Sequence, residues 1–223
     1  TMFIKRIYSV PCIAAILLCM ACNKDPQIER VYFEFEMPFS ITPSSDTVLV
    51  GDTLYLVGDF SDSLFDAASR KKFGLNCFPF PSFMTICELT FPDKNFAFQK
   101  GATDAFDLIF DNIYGGVTGS RYANVNLLCN NNRYYFRLKI VPRRRGVFSL
   151  KITDNDVGSI SLPDYLAPST PEIKRIPTAR YNRHIFNQGN THFEIFKKHA
   201  QHALPDGNWP LLEEYGTYTF VVK

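Results

Sequence analysis

The sequence has little net charge, a single tryptophan and no recognisable catalytic signature. Its 223 residues include 24 basic and 22 acidic side chains, which gives a formal net charge of +2. A chain this close to neutral lacks the basic surface that binds phosphate backbones, so we predict no nucleic-acid partner. Glycine-rich phosphate loops and a GxSxG elbow are also missing. The sequence therefore predicts no cofactor and favours a function other than catalysis.

The N-terminus holds an apolar run, residues 7–20, which Lys5 and Arg6 precede. The run is shorter than the ~20 residues that a membrane-spanning helix needs. A basic start, an apolar stretch of about 7–15 residues and a small residue before the cleavage point are typical of a secretory signal. We therefore predict that residues 1–21 are a signal peptide that is cleaved after Ala21.

Cys22 follows the predicted cleavage point, and the sequence becomes polar immediately afterwards. This layout is typical of a bacterial lipoprotein signal, in which the cysteine is lipidated and becomes the new N-terminus. We predict lipidation at Cys22 and a lipidated tether over residues 22–30, which would hold the protein at a membrane. Cys19 stands where leucine is common in such signals, so secretion without a lipid is the alternative.

Three further cysteines, Cys77, Cys87 and Cys129, lie in the remaining chain. In an oxidising compartment, one pair can form a disulfide and leave one thiol. We predict a disulfide between Cys77 and Cys87, because it would close the proline-rich loop 78–81. Three buried thiols are the alternative, since cysteine is often a small buried hydrophobe.

Aromatic residues are abundant, with 21 phenylalanines and 11 tyrosines, and this bias favours strands. Residues 31–37 alternate between apolar and polar side chains, which predicts a half-buried strand with Phe33, Phe35 and Met37 on its inner face. Further strands are predicted at 41–50, 52–57, 89–91, 106–110, 124–128 and 217–222.

The clearest alternation occurs in residues 133–141 and again in residues 147–152, on either side of the loop 142–146. We predict that these segments form a β-hairpin with a five-residue loop. Residues 153–182 are rich in Pro, Ser and Asp, which indicates a long connection.

One helix is predicted at about 191–203. Thr191 and Glu194 have the spacing of a capping box. Phe193, Phe196, Ala200 and Ala203 share one helical face.

Many short strands separated by turns predict a mainly β fold, an antiparallel Ig-like β-sandwich with one helical insertion near the C-terminus. Residues 31–223 are expected to form this single domain. Residues 41–53 resemble the opening strands of bacterial Ig-like domains. Residues 140–150 and 218–222 resemble a group of uncharacterised Bacteroidota-type surface lipoproteins, and residues 23–25 resemble their export tag.

Two classes of ligand-binding residue are candidates. His192, His199 and His202 fall within an arc of about 80° on the predicted helix, where they could bind zinc; a solvated stripe is the alternative. Trp209, Tyr181, Tyr165 and Tyr135 could stack on sugar rings, although most aromatics in such a chain belong to the core.

Asp46-Thr47, Asp52-Thr53 and Asp62-Ser63 resemble the O-glycosylation sites of Bacteroidota-type secreted proteins, which makes Thr47, Thr53 and Ser63 candidate acceptors. The alternative is that these pairs are turn residues.

The sequence gives weaker support for three other charged sites. Asp104, Asp107 and Asp111 could supply paired carboxylates for glycoside hydrolysis, but loop and solvent-facing acids are favoured. Residues 154–158 resemble the start of a calcium loop but lack its later glutamate, so a turn is favoured. The arginines of the 142–146 loop could bind an anion or simply keep the loop solvated.

The expected function is that of an extracytoplasmic lipoprotein, anchored to the outer membrane and exposed at the cell surface. It would act as a binding or accessory module that captures a glycan, or a protein such as a neighbouring outer-membrane protein. An adhesin or structural component of the cell envelope is one alternative, and a hydrolase with an unrecognised site is another. A location on the periplasmic face of the outer membrane is the alternative to exposure at the cell surface.

Overall fold

The structure is a computed structural model, and it describes residues 25–89, 101–111, 116–118, 122–154, 159–179, 182–200 and 216–223. Short strands dominate these residues. They are β1 (Gln27–Phe33), β2 (Phe35–Thr42), β3 (Thr47–Val48), β4 (Leu54–Ser61), β5 (Ser63–Asp66), β6 (Lys71–Gly74), β7 (Pro81–Glu88), β8 (Phe106–Phe110), β9 (Gly116–Thr118), β10 (Tyr122–Asn126), β11 (Leu128–Asn130), β12 (Arg133–Pro142), β13 (Gly146–Asp154), β14 (Ile160–Ser161), β15 (Ile173–Ala179), β16 (Arg183–Phe186) and β17 (Thr217–Val222). The α-helix α1 (Phe193–Ala200) lies near the C-terminus.

Two large sheets form a β-sandwich, which confirms the predicted fold class. The smaller of these two sheets has six strands in the order β3-β17-β13-β7-β10-β9, and we call it the small sheet. The second, the large sheet, has the order β11-β12-β4-β2-β5-β6, with β8 paired to β12 and β16 paired to β2. A third sheet, β1-β15-β14, extends from them. Among the described residues, no helix is long and apolar enough to span a membrane.

The sequence predicts a purely antiparallel sandwich, but the sheets of the structure are mixed. The pairs β1–β15, β2–β16 and β3–β17 are parallel. The first three strands thus pair with the last three strands. Each such pair joins segments more than a hundred residues apart, so no turn motif in the local sequence predicts it.

Alternation along the strands places one apolar face of each large sheet in the core. The largest side chains sealed there are aromatic, and they include Phe35, Phe136, Phe148, Phe220, Tyr134 and Tyr218. Burying each such ring contributes roughly 1.5–3 kcal/mol of hydrophobic free energy. The largest buried aromatic side chains of the described residues therefore fill the space between the sheets.

The predicted hairpin over 133–152 is wrong, although both of its strands exist. β12 pairs with β4 and β8 in the large sheet, whereas β13 pairs with β7 and β17 in the small sheet. The connection between them is an arch that crosses from one sheet to the other. A hairpin and an arch share the same alternation, because in both cases every second side chain faces the core. Arg144 fastens the arch through two hydrogen bonds of 2.8 and 2.9 Å to the Glu88 carboxylate.

The strand predicted over 31–37 is interrupted at Glu34, where the chain passes from β1 to β2. Phe33, Phe35 and Met37 are all buried, as predicted. The Glu34 amide donates to the Asp66 carboxylate over 2.7 Å, and the Phe35 amide donates to the Asn182 side-chain oxygen over 3.2 Å. These side chains satisfy backbone groups that no strand partner reaches at the break.

The parallel pair β1–β15 changes two further expectations. β1 begins at Gln27, so the segment predicted as a tether, 22–30, already contains strand residues. The segment predicted as a long connection, 153–182, contains β14 and β15. Neither β1 nor β15 has a clean alternation, because these two strands pack mostly on each other at the surface and expose many side chains.

Helix α1 covers the outer face of the small sheet. Phe193 and Phe196 are buried there with Leu89 and Val147, and the partly buried Val221 packs against them. β17 is therefore covered on both faces, by the core on one side and by the helix on the other. The helix begins at Phe193 rather than Thr191, and the Ala203 end of the predicted helix lies outside the described residues.

The remaining strand predictions met different outcomes. β8 and β17 lie where strands were predicted at 106–110 and 217–222. The segment 41–50 is divided between the end of β2 and the short β3. Of the strand predicted at 89–91, Leu89 lies just after β7, which ends at Glu88, and residues 90–91 lie outside the described part of the chain.

Candidate functional site

A groove with a volume of about 970 Å³ crosses the outer face of the large sheet. It passes over β16, β2, β5 and β6, which are successive neighbours in the sheet. The end of β4, which also pairs with β2, lines it as well. Four strands spaced about 4.8 Å apart span a width of about 15 Å. Eight of the nineteen lining residues carry hydroxyl or amide side chains, and they are Ser40, Thr42, Ser44, Ser61, Ser63, Asn187, Gln188 and Asn190.

The sheet register explains how the polar lining is assembled. In β2, the buried residues alternate with the outward residues Glu36, Pro38, Ser40 and Thr42. Successive side chains point to opposite faces of a strand, so each polar residue faces the groove while its apolar neighbour faces the core. Phe39, Ile41, Phe60 and Leu64 also border the groove, but their side chains are buried in the core beneath it.

A tight turn over Asn187–Gly189 forms one wall. Asn187, Gln188 and Gly189 all have positive φ, at 45°, 56° and 97°. The Asn187 side-chain oxygen accepts a hydrogen bond of 2.8 Å from the Ile41 amide, just beyond the end of the β2–β16 pairing. This bond fixes the turn against β2 and holds Gln188 and Asn190, both exposed, at the rim of the groove.

The charges around the groove are balanced. Glu36, Phe65 and Lys72 form a cross-strand row, which places one acid and one base on either side of an aromatic ring. Asp59 is paired with Arg133 over 2.5 Å. Because Arg133 donates a hydrogen bond to this carboxylate, the pKa of Asp59 lies below its usual range. The groove therefore presents no net charge to a ligand.

Tyr135 is the predicted stacking residue that the structure brings to this face. It lies opposite Asp59 in the β12–β4 pairing, and Asp59 lines the groove. Its side chain is 42% exposed, and so its ring is available beside the groove. Tyr165 is also exposed, but its hydroxyl donates to the Gly74 carbonyl and it does not line the groove. Trp209 and Tyr181 lie outside the described residues.

The structure does not support the predicted histidine stripe. His192 precedes α1 with a φ of 53°, so it does not continue the helical face on which His199 lies. Its Nδ1 is 3.0 Å from the Thr219 carbonyl oxygen, and its ring packs on Tyr218. Burial, followed by the charge of Lys198, lowers the pKa of His199. His202 lies outside the described residues.

No group of three His, Cys, Asp or Glu side chains in the described ranges could hold a metal ion. The fourth histidine, His184, is buried in β16 beside the ring of Phe39. A cavity of about 400 Å³ lies at the start of α1 and shares Asn190 with the groove, and His192 and Glu194 are among its lining residues.

The predicted disulfide is corrected. Cys77 is bonded to Cys129, with 5.3 Å between the two Cα atoms, and not to Cys87. Cys87 lies in β7, on a strand that leads away from the Cys77 loop. The pairing of β11 with β12 brings Cys129 to the Cys77 loop, and Tyr134 of β12 holds that loop through a hydrogen bond of 2.6 Å to the Phe78 carbonyl.

The three candidate glycosylation acceptors occupy different environments. Thr47 and Thr53 are partly exposed, and Ser63 is exposed in the groove. Two of the preceding acids support local backbone: Asp52 accepts from the Leu49 amide, and Asp62 accepts from the Cys77 amide. Glycosylation stays a hypothesis here. A glycan on Ser63 would fill part of the groove and exclude another ligand.

The other charged candidates make surface or loop ion pairs. Asp107 pairs with Arg143, and Asp111 pairs with Arg137, each over 3.5 Å. The calcium-like run 154–158 lies almost wholly outside the described residues.

Sequence reasoning missed the groove, apart from Tyr135 and Ser63. The outward residues of β2 could have been read from its alternation. The turn over 187–190 carries no comparable signal, because its position depends on the parallel pairing of β16 with β2.

No family model matches the sequence, and no curated protein matches it significantly. Solved structures with some similarity include the reeler domain of human F-spondin, with a TM-score of 0.34, 10% identity, and coverage of 90% of this chain and 96% of that one. The Reelin-N domain of F-spondin has a TM-score of 0.28 and 14% identity, covering 76% and 91%. The type II cohesin dyad from the adaptor ScaA scaffoldin of Acetivibrio cellulolyticus has a TM-score of 0.29 and 10% identity, covering 65% and 47%. All three TM-scores lie below 0.5, so these likenesses carry no information about function.

Proposed function

We propose that this protein is an extracytoplasmic binding module that captures a neutral oligosaccharide in the groove of its large sheet. The observation that carries the proposal is the polar lining. Hydroxyl and amide groups such as those of Ser40, Gln188 and Asn190 can both donate and accept hydrogen bonds. Sugar hydroxyls need both kinds of partner, and a width of about 15 Å suits an oligosaccharide better than a single sugar.

The aromatic residues and the charges support the same class of ligand. The partly exposed ring of Phe65 lies in the groove, and Tyr135 lies beside it. Aromatic faces pack well on the apolar C–H surfaces of sugar rings. The balance between acids and bases gives no reason for an anionic or a cationic ligand to bind, because unpaired charge at the groove is small.

The proposed location is the outer membrane, facing the cell surface, with a lipid anchor at Cys22. The Cys77–Cys129 disulfide supports an oxidising compartment outside the cytoplasm. β1 begins at Gln27, so only the four residues 23–26, at most about 3.6 Å long each, would separate the lipidated residue from the first strand. Such an anchor would hold the groove close to the membrane, where a neighbouring outer-membrane protein could receive the captured glycan.

Binding of the purified protein to an array of neutral oligosaccharides tests the groove. We expect the native chain to bind at least one of them. We expect Ser40→Trp to weaken that binding more than tenfold, because Ser40 is exposed at the centre of β2 and an indole there would fill the groove.

Ile109→Trp is the matched control for this experiment. Ile109 is 50% exposed on β8 of the same sheet but does not line the groove. Its variant should bind as the native chain does. The proposal fails if the native chain binds none of the neutral glycans, or if Ser40→Trp and Ile109→Trp bind equally well.

Membrane fractionation of bacteria that express the protein tests the anchor. We expect Cys22→Ser to move the protein from the membrane fraction to the soluble fraction, because the thiol that receives the lipid is lost. Cys12→Ser changes another cysteine of the leader and should stay in the membrane fraction. If Cys22→Ser also stays there, the lipid anchor is wrong, whatever the glycan array shows.

A further inference from the structure

A lysine and a cysteine share the outer face of the small sheet, away from the groove. In the antiparallel pairing of β13 with β7, Ser149 lies opposite Cys87 and Lys151 lies opposite Thr85. Lys151 and Cys87 are therefore diagonal neighbours on one face. Diagonal positions in a sheet are about 7–8 Å apart, which a lysine side chain spans easily.

The surroundings of Lys151 make its amine easier to deprotonate than that of an exposed lysine. Desolvation by burial lowers the pKa of Lys151, and the neighbouring Cys87 opposes this shift only in part. Within the described ranges, no acidic side chain forms an ion pair with Lys151. The residues beside it, Thr85, Ser149 and Thr217, carry uncharged hydroxyls. An unprotonated amine is a nucleophile, whereas an ammonium ion is not.

Cys87 is also the cysteine in β7 that the disulfide leaves as a thiol. Cys87 is partly exposed, and hydrogen peroxide is among the smallest oxidants. Oxidation of a thiol gives a sulfenic acid, which can condense with a backbone nitrogen to form a sulfenamide. An unprotonated amine is a stronger nucleophile than an amide nitrogen and can attack the same sulfur. Disulfide exchange with Cys77 or Cys129 would instead require the sheet to open, because Cys129 belongs to the other sheet.

We propose that Cys87 and Lys151 are a modification site, at which peroxide oxidation joins the cysteine sulfur to the lysine nitrogen. In the first step, the sulfur attacks hydrogen peroxide, the O–O bond breaks, and the products are a sulfenic acid and one water. In the second step, the amine of Lys151 attacks the sulfur, the S–O bond breaks, and the departing oxygen leaves as water with a proton from the nitrogen. The protein loses two hydrogen atoms, and one peroxide is reduced to two waters.

Peptide mapping of the peroxide-treated protein tests this proposal. We expect a cross-linked species in which the Cys87 and Lys151 peptides are joined and their summed mass is about 2 Da lower than that of the separate peptides. Trypsin does not cut after a modified lysine, so cleavage after Lys151 should be lost as well. Treatment with a thiol reductant should restore both peptides.

Two variants separate the cross-link from other oxidation products. Cys87→Ser removes the sulfur, and Lys151→Arg keeps the charge and length while removing the reactive amine, so both should lose the cross-link completely. The unfolding midpoint of Lys151→Arg should match that of the native chain, which shows that the sheet is intact. Cys87 oxidised to a sulfinic acid or joined to a second protein molecule, with Lys151 still cleaved by trypsin, would overturn the proposal.

Discussion

Replacing Gly216 by alanine is expected to prevent folding or to lower the free energy of unfolding by about 3 kcal/mol or more. Gly216 directly precedes β17 and has a φ of 70°. A β-carbon at this position would lie 2.0 Å from the backbone oxygen of His184 and 3.1 Å from the ring of Phe186. A backbone oxygen cannot rotate out of the way as a flexible side chain can. β16 and the start of β17 would therefore have to separate.

Gly51→Ala is the matched control for this prediction. Gly51 also has a left-handed φ, at 87°, but no atom lies within 4 Å of the position that its β-carbon would take. The free energy of unfolding of its variant should fall by only about 1–2 kcal/mol, which is the cost of placing a residue with a side chain in the left-handed conformation. The difference between the two variants therefore measures the steric overlap at Gly216.

Denaturation by guanidinium, followed by circular dichroism, measures both variants on one scale. We expect the Gly216→Ala midpoint to fall well below that of Gly51→Ala, or the variant to be recovered only as aggregate. Equal midpoints would mean that β16 and β17 do not approach each other as closely as the structure shows.

The close approach at Gly216 illustrates which parts of the fold could be predicted. Alternation identified β12 and β13, because each of these strands has one face in the core. The Gly216 contact depends on two strands that meet only after the chain has folded. A glycine in the sequence shows that the backbone is permissive but not what lies beside it.

The error at 133–152 has the same origin. The alternation of β12 and β13 is compatible with a hairpin and with an arch, and only the pairing partners of each strand distinguish the two. Those partners are β4 and β8 on one side and β7 and β17 on the other, and all of them are distant in sequence or preceded by a long connection. Local pattern therefore predicted the strands but not the sheets to which they belong.

The groove depends even more on pairing at long range. Glu36, Phe65 and Lys72 come from three strands, and they form a row only because the β2–β5 and β5–β6 registers align them. A shift of one residue in either register would turn one member of the row toward the core. The sequence could supply Tyr135 as a candidate, since single exposed aromatics are conspicuous, but not the groove beside it.

Removing the disulfide through the double substitution Cys77→Ser/Cys129→Ser is expected to lower the free energy of unfolding by about 4 kcal/mol. The bond joins cysteines 52 residues apart, and a cross-link over a loop of this length strongly restricts the unfolded chain. It also fixes the loop after β6 to β11, at one end of the large sheet. A loss of this size is a large fraction of the 5–15 kcal/mol that typically stabilises a domain.

Cys87→Ser provides the matched control, because it removes a cysteine that lies outside the disulfide. Its unfolding midpoint should stay close to that of the native chain, and a reductant should lower the midpoint of both proteins to that of the double variant. The double variant itself should not respond to the reductant, since its disulfide is already gone. A native chain that is insensitive to reductant would show that no disulfide stabilises the fold. A Cys87→Ser variant as unstable as the double variant would show instead that Cys87 takes part in the stabilising bond. The first predicted pairing, Cys77–Cys87, would then return as the better assignment.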